Sequence, residues 1–310
     1  MKVLFVASGN HDGLSPVVKA QGDSLAHTGV EVEYFLIKGK GMGGYLRNVR
    51  PLKRCCKNNH YDVVHAHFSF SAFVASLAGV KPLVVSLMGS DLKSSGNKKY
   101  LIRLFCKLFQ WPVVIVKSKD MAKGLELGSR VRVIPNGVDT ELFVEMDKSA
   151  CRDRLGWNPG VKHILFPANP DRPEKDFALA SQTVDTLGGL VYKHVFKGLE
   201  HSETVYYYNA SDAVLLTSKW EGSPNVIKEA LACGCPIVSV DVGDIRERLE
   251  GVEGCYVAQT RESEELAGLL EKAMLFEGRT RGRDKIIHDH LDNRHVVSQL
   301  IDVYRQVCAG

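Results

Sequence analysis

The sequence predicts an α/β protein made of two Rossmann-like parallel-sheet domains facing each other across a cleft. Three observations carry that prediction. Short apolar, β-branched runs alternate with amphipathic stretches along the whole chain, the pattern of strands covered on both faces by helices. The alternation breaks near the middle, where Ile134-Pro135-Asn136-Gly137-Val138-Asp139 gathers proline, Asn-Gly and aspartate into a turn or hinge. The length, 310 residues, exceeds what one hydrophobic core usually organises.

The first half opens with a buried strand over 2–7, too short to be the apolar core of a signal peptide. After it comes Ser8-Gly9-Asn10-His11-Asp12-Gly13-Leu14-Ser15-Pro16. This loop has glycines for close backbone approach, Ser15 as an N-cap and Pro16 at the first helical position. Further strands are expected at 30–37, 62–66, 82–86, 112–116 and 131–134, with helices at 16–28, 44–58, 71–77, 92–110 and 120–127. Gly39-Lys40-Gly41-Met42-Gly43-Gly44 matches the dinucleotide pattern G-x-G-x-x-G. It follows the second strand, however, is crowded by Lys38 and Lys40, and has Asp62 opening a strand where a ribose-binding acid should end one. A basic, phosphate-contacting loop is the better reading.

The next helix carries Arg47, Arg50, Lys53, Arg54 and Lys57, several at i, i+3 and i+4 spacing, which makes a cationic stripe. A solvated face and a lipid-facing patch both fit it. Residues 98–111 mix basic and large apolar side chains in a way that suits a membrane interface, but an apolar face packed on the sheet is the preferred reading. His65-Ala66-His67 ends the third strand with both imidazoles on one side, more in keeping with a cleft lining than a metal site.

Beyond the junction, strands are expected at 163–167, 190–195, 213–217, 236–240 and 254–257, with helices at 175–187, 225–233, 262–276 and 293–307. The strand at 213–217 runs into Trp220-Glu221-Gly222-Ser223-Pro224-Asn225-Val226, and a helix leaves it carrying Glu229. A helix N-terminus offers unpaired N–H groups and a partial positive charge, so this turn is an anion site bracketed by two carboxylates. The plain alternative is a strand–helix joint with two solvated glutamates.

Composition is that of a soluble globular protein, 45% hydrophobic and 25% charged. No apolar run reaches the roughly 18 residues of a spanning helix. Eight cysteines without regular spacing suggest free thiols and a reducing, cytoplasmic location, and no metal site stands out. Residues 1–150 hold 21 lysines and arginines against 12 acids, and the remainder 19 against 24. The basic half should therefore meet something anionic. Aromatic residues are not interleaved with its charges, so a phosphorylated acceptor or an anionic membrane fits better than nucleic acid.

The stretches Ile134–Phe143, Glu221–Glu229 and Ala230–Val238 together resemble family 4 retaining glycosyltransferases of the GT-B fold, in its "IPNGVD" junction, E-x7-E motif and following "EA-x-A-x-G-x-P-V-V" run. The resemblance covers most of the chain. It implies an N-terminal acceptor-side domain at 1–140, a C-terminal nucleotide-sugar-binding domain at 141–292, and a last helix, 293–310, crossing back to the first. It implies transfer of a sugar from a nucleotide-diphosphate sugar of UDP or GDP type to a saccharide or lipid-linked saccharide acceptor, as in polysaccharide or lipopolysaccharide assembly. The transfer would retain configuration and use no metal or other cofactor.

In the roles that follow from the resemblance, Glu221 accepts hydrogen bonds from donor sugar hydroxyls and Glu229 binds the nucleotide ribose. The backbone of Gly222, Ser223, Pro224, Asn225 and Val226 cradles the diphosphate, and Gly13 and Ser15 belong to the glycine loop near the transferred sugar. Lys175 matches the family lysine that neutralises the leaving diphosphate. The family arginine position reads as Asn169, so Arg172 is expected to substitute.

Acceptor-side or cleft positions are His67, Met88 and Asp91. Met88-Gly89-Ser90-Asp91 stands where many members carry H-G-x-D, and a thioether cannot donate a hydrogen bond, which points to a donor sugar apolar near C6. Otherwise His11 or His67 would take the histidine's place. Membrane contact through Arg47, Arg50, Lys53 and Arg54, at the inner face of the cell membrane, suits such an acceptor. A 2-epimerase-like nucleotide-sugar enzyme and a nucleotide-sugar-binding module without turnover share the architecture and are the rival readings.

Overall fold

The computed structural model describes residues 1–10, 13–93, 98–189 and 191–309. The chain divides into two compact units, Met1–Gly137 with Asn293–Gly310, and Val138–Asp292.

The first unit has strands β1 (Lys2–Ser8), β2 (Glu31–Ile37), β3 (Val63–His67), β4 (Leu83–Ser86), β5 (Val113–Val116) and β6 (Val131–Val133), in the order β2-β1-β3-β4-β5-β6. Every pairing is parallel. Its helices are α1 (Pro16–Ala26), α2 (Gly41–Leu46), α3 (Val49–Asn58), α4 (Ser69–Leu77), α5 (Gly89–Lys93), α6 (Lys98–Leu108) and α7 (Lys119–Leu125). Leu52, Phe73, Ile102 and Met121 bring α3, α4, α6 and α7 onto one face of the sheet.

The second unit has β7 (Lys162–Phe166), β8 (Val191–Val195), β9 (Ala213–Leu216), β10 (Ile237–Ser239) and β11 (Cys255–Val257), again all parallel, in the order β11-β10-β9-β7-β8. Its helices are α8 (Lys148–Leu155), α9 (Phe177–Leu187), α10 (Thr204–Ala210), α11 (Asn225–Ala232), α12 (Ile245–Leu249), α13 (Ser263–Met274) and α14 (Gly282–His288). The last helix, α15 (Asn293–Ala309), returns to the first unit, where Val296, Leu300 and Tyr304 join Val18 and Leu25 of α1 on the other face of the first sheet.

Each sheet reverses direction beside its first strand. β1 lies between β2 and β3, and β7 between β8 and β9. The loops leaving β1 and β3, and those leaving β7 and β9, therefore open side by side at the carboxyl ends of the strands, where open α/β sheets hold ligands.

Several elements depart from expectation. The helix expected over 44–58 is broken into α2 and α3, because the Asn48 side-chain amide bonds the carbonyls of Lys38 and Gly44 at 2.9 and 2.7 Å at the joint. The one over 92–110 gives α5 and α6, with 94–97 outside the described residues. The strand begins at Val191, and Leu190 of the expected 190–195 is also outside them. Helices α8, α10, α12 and α14 were not anticipated. α8 nevertheless has local signals at both ends, Asp147 accepting from the Ala150 amide at 2.7 Å and Gly156 left-handed at φ 67.

Candidate active site

In the second unit, the switch between β7 and β9 brings together residues 46 positions apart. Lys175 ends a short 3-10 turn after β7, and its Nζ donates to Glu221 Oε1 at 2.5 Å in the loop after β9. Both side chains are largely enclosed, 11% and 14% exposed. Two strong contacts hold this arrangement. The Thr217 hydroxyl donates to the carbonyls of Lys175 and Asp176 at 3.1 and 2.9 Å. The Arg261 guanidinium reaches the Asp176 carboxylate and the Thr217 and Ser218 carbonyls at 2.7–2.9 Å. Arg172 is not part of the pair. Its guanidinium lies 57% exposed and bonds Glu174 two residues on.

The turn from Glu221 into α11 is pressed onto a neighbouring loop. A Cβ on Gly243, at φ 65, would stand 2.6 Å from the Gly222 carbonyl oxygen and 3.1 Å from that of Glu221. α11 starts uncapped. Its N-cap residue is Pro224, which offers no side-chain bond, so the first-turn amides of Asn225 and Val226 lack intrahelical acceptors. Around that opening, the Ser218, Ser223 and Asn225 side-chain oxygens and Asp244 Oδ1 are buried without partners. Buried polar atoms are almost always bonded. Of this set the Ser218 and Ser223 hydroxyls, with the free helix amides, can donate to an anionic ligand, whereas the Asn225 and Asp244 oxygens only accept and call for a donor such as a ligand hydroxyl.

One turn into α11, Glu229 is buried at 5% exposure. Oε1 lies 2.9 Å from His201 Nε2, and Oε2 accepts from the Tyr208 hydroxyl at 2.8 Å. The Glu229 carboxylate raises the His201 pKa above its ordinary value, chiefly through the hydrogen bond. Burial, then Glu229, pushes the Tyr208 hydroxyl well above its ordinary range, so it stays protonated and donating. The sequence offered no sign of these two residues. Their partner lies 28 and 21 positions away and meets them only where α10, and the 3-10 turn His201–Glu203 just before it, pack beside α11.

In the first unit, the switch between β1 and β3 holds a cavity of about 640 Å3 lined in part by Asn10, Gly13, Ser15, Lys40, Tyr45 and Asp91. Ser15 occupies the N-cap position of α1, with Pro16 behind it, but its hydroxyl makes no capping bond. Glycines 39 and 44 are packed against each other, since a Cβ on Gly44 would stand 2.5 Å from the Gly39 carbonyl carbon, and Asn10 clamps Gly39 through both amide bonds at 2.7 and 2.8 Å. The glycines of this loop thus serve backbone contact.

Asp91 is a clamp between two loops. Its Oδ1 accepts from the Ser69 amide and hydroxyl at 2.9 and 2.6 Å, and its Oδ2 from the Met88 amide at 2.7 Å. Met88 is partly exposed beside it. His67 corrects the expectation of a cleft residue. It has no exposed surface, stacks 4.3 Å from His65, lies tilted 4.5 Å from Phe5, and among the described residues finds no partner for either ring nitrogen. Burial, and then the nearby Lys117 ammonium, holds its pKa down to about 3. The alternating strand turns both imidazoles toward α15, where His65 bonds Tyr304 at 2.6 Å, and so away from a ligand. His11, the other histidine considered for this role, lies outside the described residues.

Among the described residues no helix is long and apolar enough to cross a membrane, and no group of three or more His, Cys, Asp and Glu side chains could hold a metal ion. All eight cysteines are free thiols.

Comparison with known proteins gives the following. Residues 3–142 match the family model Glycosyltransferase Family 4, and residues 171–274 the model Glycosyl transferases group 1. A D-inositol 3-phosphate glycosyltransferase of Rhodococcus erythropolis is 30% identical, over 98% of this chain and 88% of its own. The lipopolysaccharide core biosynthesis mannosyltransferase LpsB of Rhizobium meliloti is 27% identical, over 77% and 74%. Among solved structures, HepE from Anabaena in complex with UDP-glucose superposes with a TM-score of 0.77 at 19% identity, over 99% of this chain and 100% of that one. The last of these likenesses speaks to the fold alone.

Proposed function

This chain belongs to the group 1 glycosyltransferases and has their two-sheet GT-B fold, and from that premise we propose that it moves a sugar from a nucleotide-diphosphate sugar to a saccharide or lipid-linked saccharide acceptor, with retention and without a metal. The observation that carries the donor reading is the convergence after β7 and β9. An enclosed lysine–glutamate pair, an uncapped helix N-terminus ringed by unpartnered polar atoms, and a buried, positioned carboxylate meet there.

In this reading, Glu229 takes the ribose hydroxyls through the lone pairs that His201 and Tyr208 leave open. The amides of Ser223, Asn225 and Val226 take the phosphates, while Pro224, having no N–H, only fixes the entry angle. Glu221 accepts hydrogen bonds from the sugar hydroxyls. The acceptor hydroxyl attacks C1 on the face the diphosphate leaves, the C1–O bond to phosphate breaks as the new C1–O bond forms, and the proton passes to the departing phosphate oxygen. Lys175 meets the charge that develops there, and Arg172 joins it by exchanging Glu174 for phosphate.

Gly13, Ser15 and Met88 belong to the sugar and acceptor side, with Asp91 holding the Met88 loop against Ser69 and His67 supporting that side from the core. Met88 favours a donor that is deoxygenated near C6. The relatives' printed roles in lipopolysaccharide core and D-inositol 3-phosphate glycosylation are compatible with assembly of a surface polysaccharide. Peripheral contact with an anionic membrane, from the cytoplasmic side, is part of the proposal. It is supported by exposed Arg47, Arg50, Lys53 and Arg54, and by Tyr100, Leu104 and Leu108 standing 69%, 50% and 64% exposed at i, i+4 and i+8 on α6.

The test is a thermal-shift screen of UDP and GDP sugars, 6-deoxy donors included, followed by an assay of nucleoside diphosphate release. Release that requires acceptor supports transfer. Release or isomerisation without acceptor would favour the epimerase reading, and binding without turnover the binding-module reading.

A further inference from the structure

His201 sits at the edge of the ribose-binding carboxylate in a way that gives it a second task. A carboxylate can only accept hydrogen bonds, so the contact from His201 Nε2 to Glu229 Oε1 at 2.9 Å fixes a proton on Nε2. Among the described residues the other nitrogen, Nδ1, has no hydrogen-bond partner, and the His201 side chain is 46% exposed while that of Glu229 beneath it is 7% exposed. The ring packs against Phe143, tilted 58° to it with the centroids 5.3 Å apart. The groups that bear on it are Glu229 of α11, Asp139 of the loop carrying Phe143, and, through Glu229, the neutral Tyr208 hydroxyl of α10. Both acids favour the imidazolium.

We propose that His201 is a positioning residue for the donor, whose gain or loss of a proton at Nδ1 switches the His201–Glu229 pair between neutral and anionic and so makes nucleotide-sugar binding depend on pH. The proposal rests on the donor-site reading given above. With Nδ1 protonated, the pair is neutral and Glu229 is pinned by a charge-assisted bond. With Nδ1 bare, the hydrogen bond survives, but a net negative charge faces a donor whose diphosphate is itself anionic. His201 titrates above its ordinary value. Affinity should therefore be highest near pH 6 and fall as pH rises through that titration.

The experiment measures the affinity of the whole protein for UDP-glucose and GDP-mannose by calorimetry between about pH 6 and 8.5. Both are diphosphate diesters whose phosphates do not titrate in that range and whose base N–H groups ionise mainly above it. Wild type should weaken about three- to tenfold across it, a change worth up to about one pKa unit of coupling. His201→Gln keeps an N–H for Glu229 but cannot titrate, so its affinity should be flat and close to the wild-type value at the alkaline end of the range. His201→Ala should bind more weakly at every pH. In turnover the effect should appear in the donor KM, with kcat within about twofold.

A wild-type profile that is flat, or a His201→Gln profile that keeps the wild-type slope, overturns the proposal. A second readout needs no ligand. In an imidazole 1H–15N titration His201 should titrate high in wild type and fall in Glu229→Gln, and an unchanged titration also overturns the proposal. If wild type binds neither donor while that titration behaves as expected, the failure lies with the donor-site reading and not with the pair.

Discussion

Lys175 and Glu221 form a largely enclosed ion pair, so removing either leaves the other without that partner. Lys175→Met and Glu221→Gln are both expected to lower kcat about 100- to 1000-fold, the range for removing one group that stabilises transition-state charge. Circular dichroism should show the fold retained. Arg172→Ala should cost less, because its guanidinium must first leave Glu174, and an equal loss would place it on the phosphate as firmly as Lys175.

His67 permits a different test. Its folded pKa is about 3, against an ordinary value near 6.5, so between those limits the unfolded chain binds a proton that the folded one refuses. Stability should thus fall with acid over that window, by about 1.4 kcal/mol per pH unit for this one group. His67→Leu removes both the titration and two unpartnered nitrogens. Denaturant melts at pH 7 and 5 should find it no less stable at pH 7 and less acid-sensitive than wild type.

At the scale of the element, the proposed donor turn depends on a loop that belongs to another strand. Gly243 follows β10, which neighbours β9 in the sheet, and its bare Cα lets the Gly222 and Glu221 carbonyls close onto it. Gly243→Ala adds both a backbone clash and a side chain at positive φ. It should destabilise by about 1–3 kcal/mol and weaken donor binding, measured as Tm and as donor Kd. Unchanged donor binding would mean that the turn does not lean on this loop. The failure of the expected 44–58 helix is also an element-scale fact. Periodicity runs through the break, but a side chain there, Asn48, competes for the backbone carbonyls.

Across the whole molecule, the two units repeat one sheet order, and each has its chain reversal at the first strand. The surplus of positive charge lies in residues 1–150. There the exposed cations of α3 and the exposed apolar stripe of α6 rise from helices packed on the same face of one sheet. A variant with Arg47, Arg50, Lys53 and Arg54 all changed to Gln should lose most of its binding to vesicles rich in anionic phospholipid. Leu104→Glu with Leu108→Glu should do the same even at low salt. Sedimentation with vesicles decides this, and retention of binding in both variants would remove the membrane from the proposal.

Local chemistry was enough to determine the strands, because residues buried on both faces must be apolar wherever they pair. It also determined the break at 134–139 and the carboxylate-flanked helix start at 221–229, since turn residues and helix ends announce themselves within a few positions. Together with the family motifs, that made the fold and the proposed donor turn legible. Partnerships were decided only by the tertiary structure. Strand order put Lys175 against Glu221, helix packing put His201 and Tyr208 on Glu229, and the adjacent strand put Gly243 beneath Gly222. The same folding turned Arg172 to Glu174 and buried His67 among rings. These contacts join residues many positions apart, and no spacing along a chain records which distant loops a sheet will place side by side.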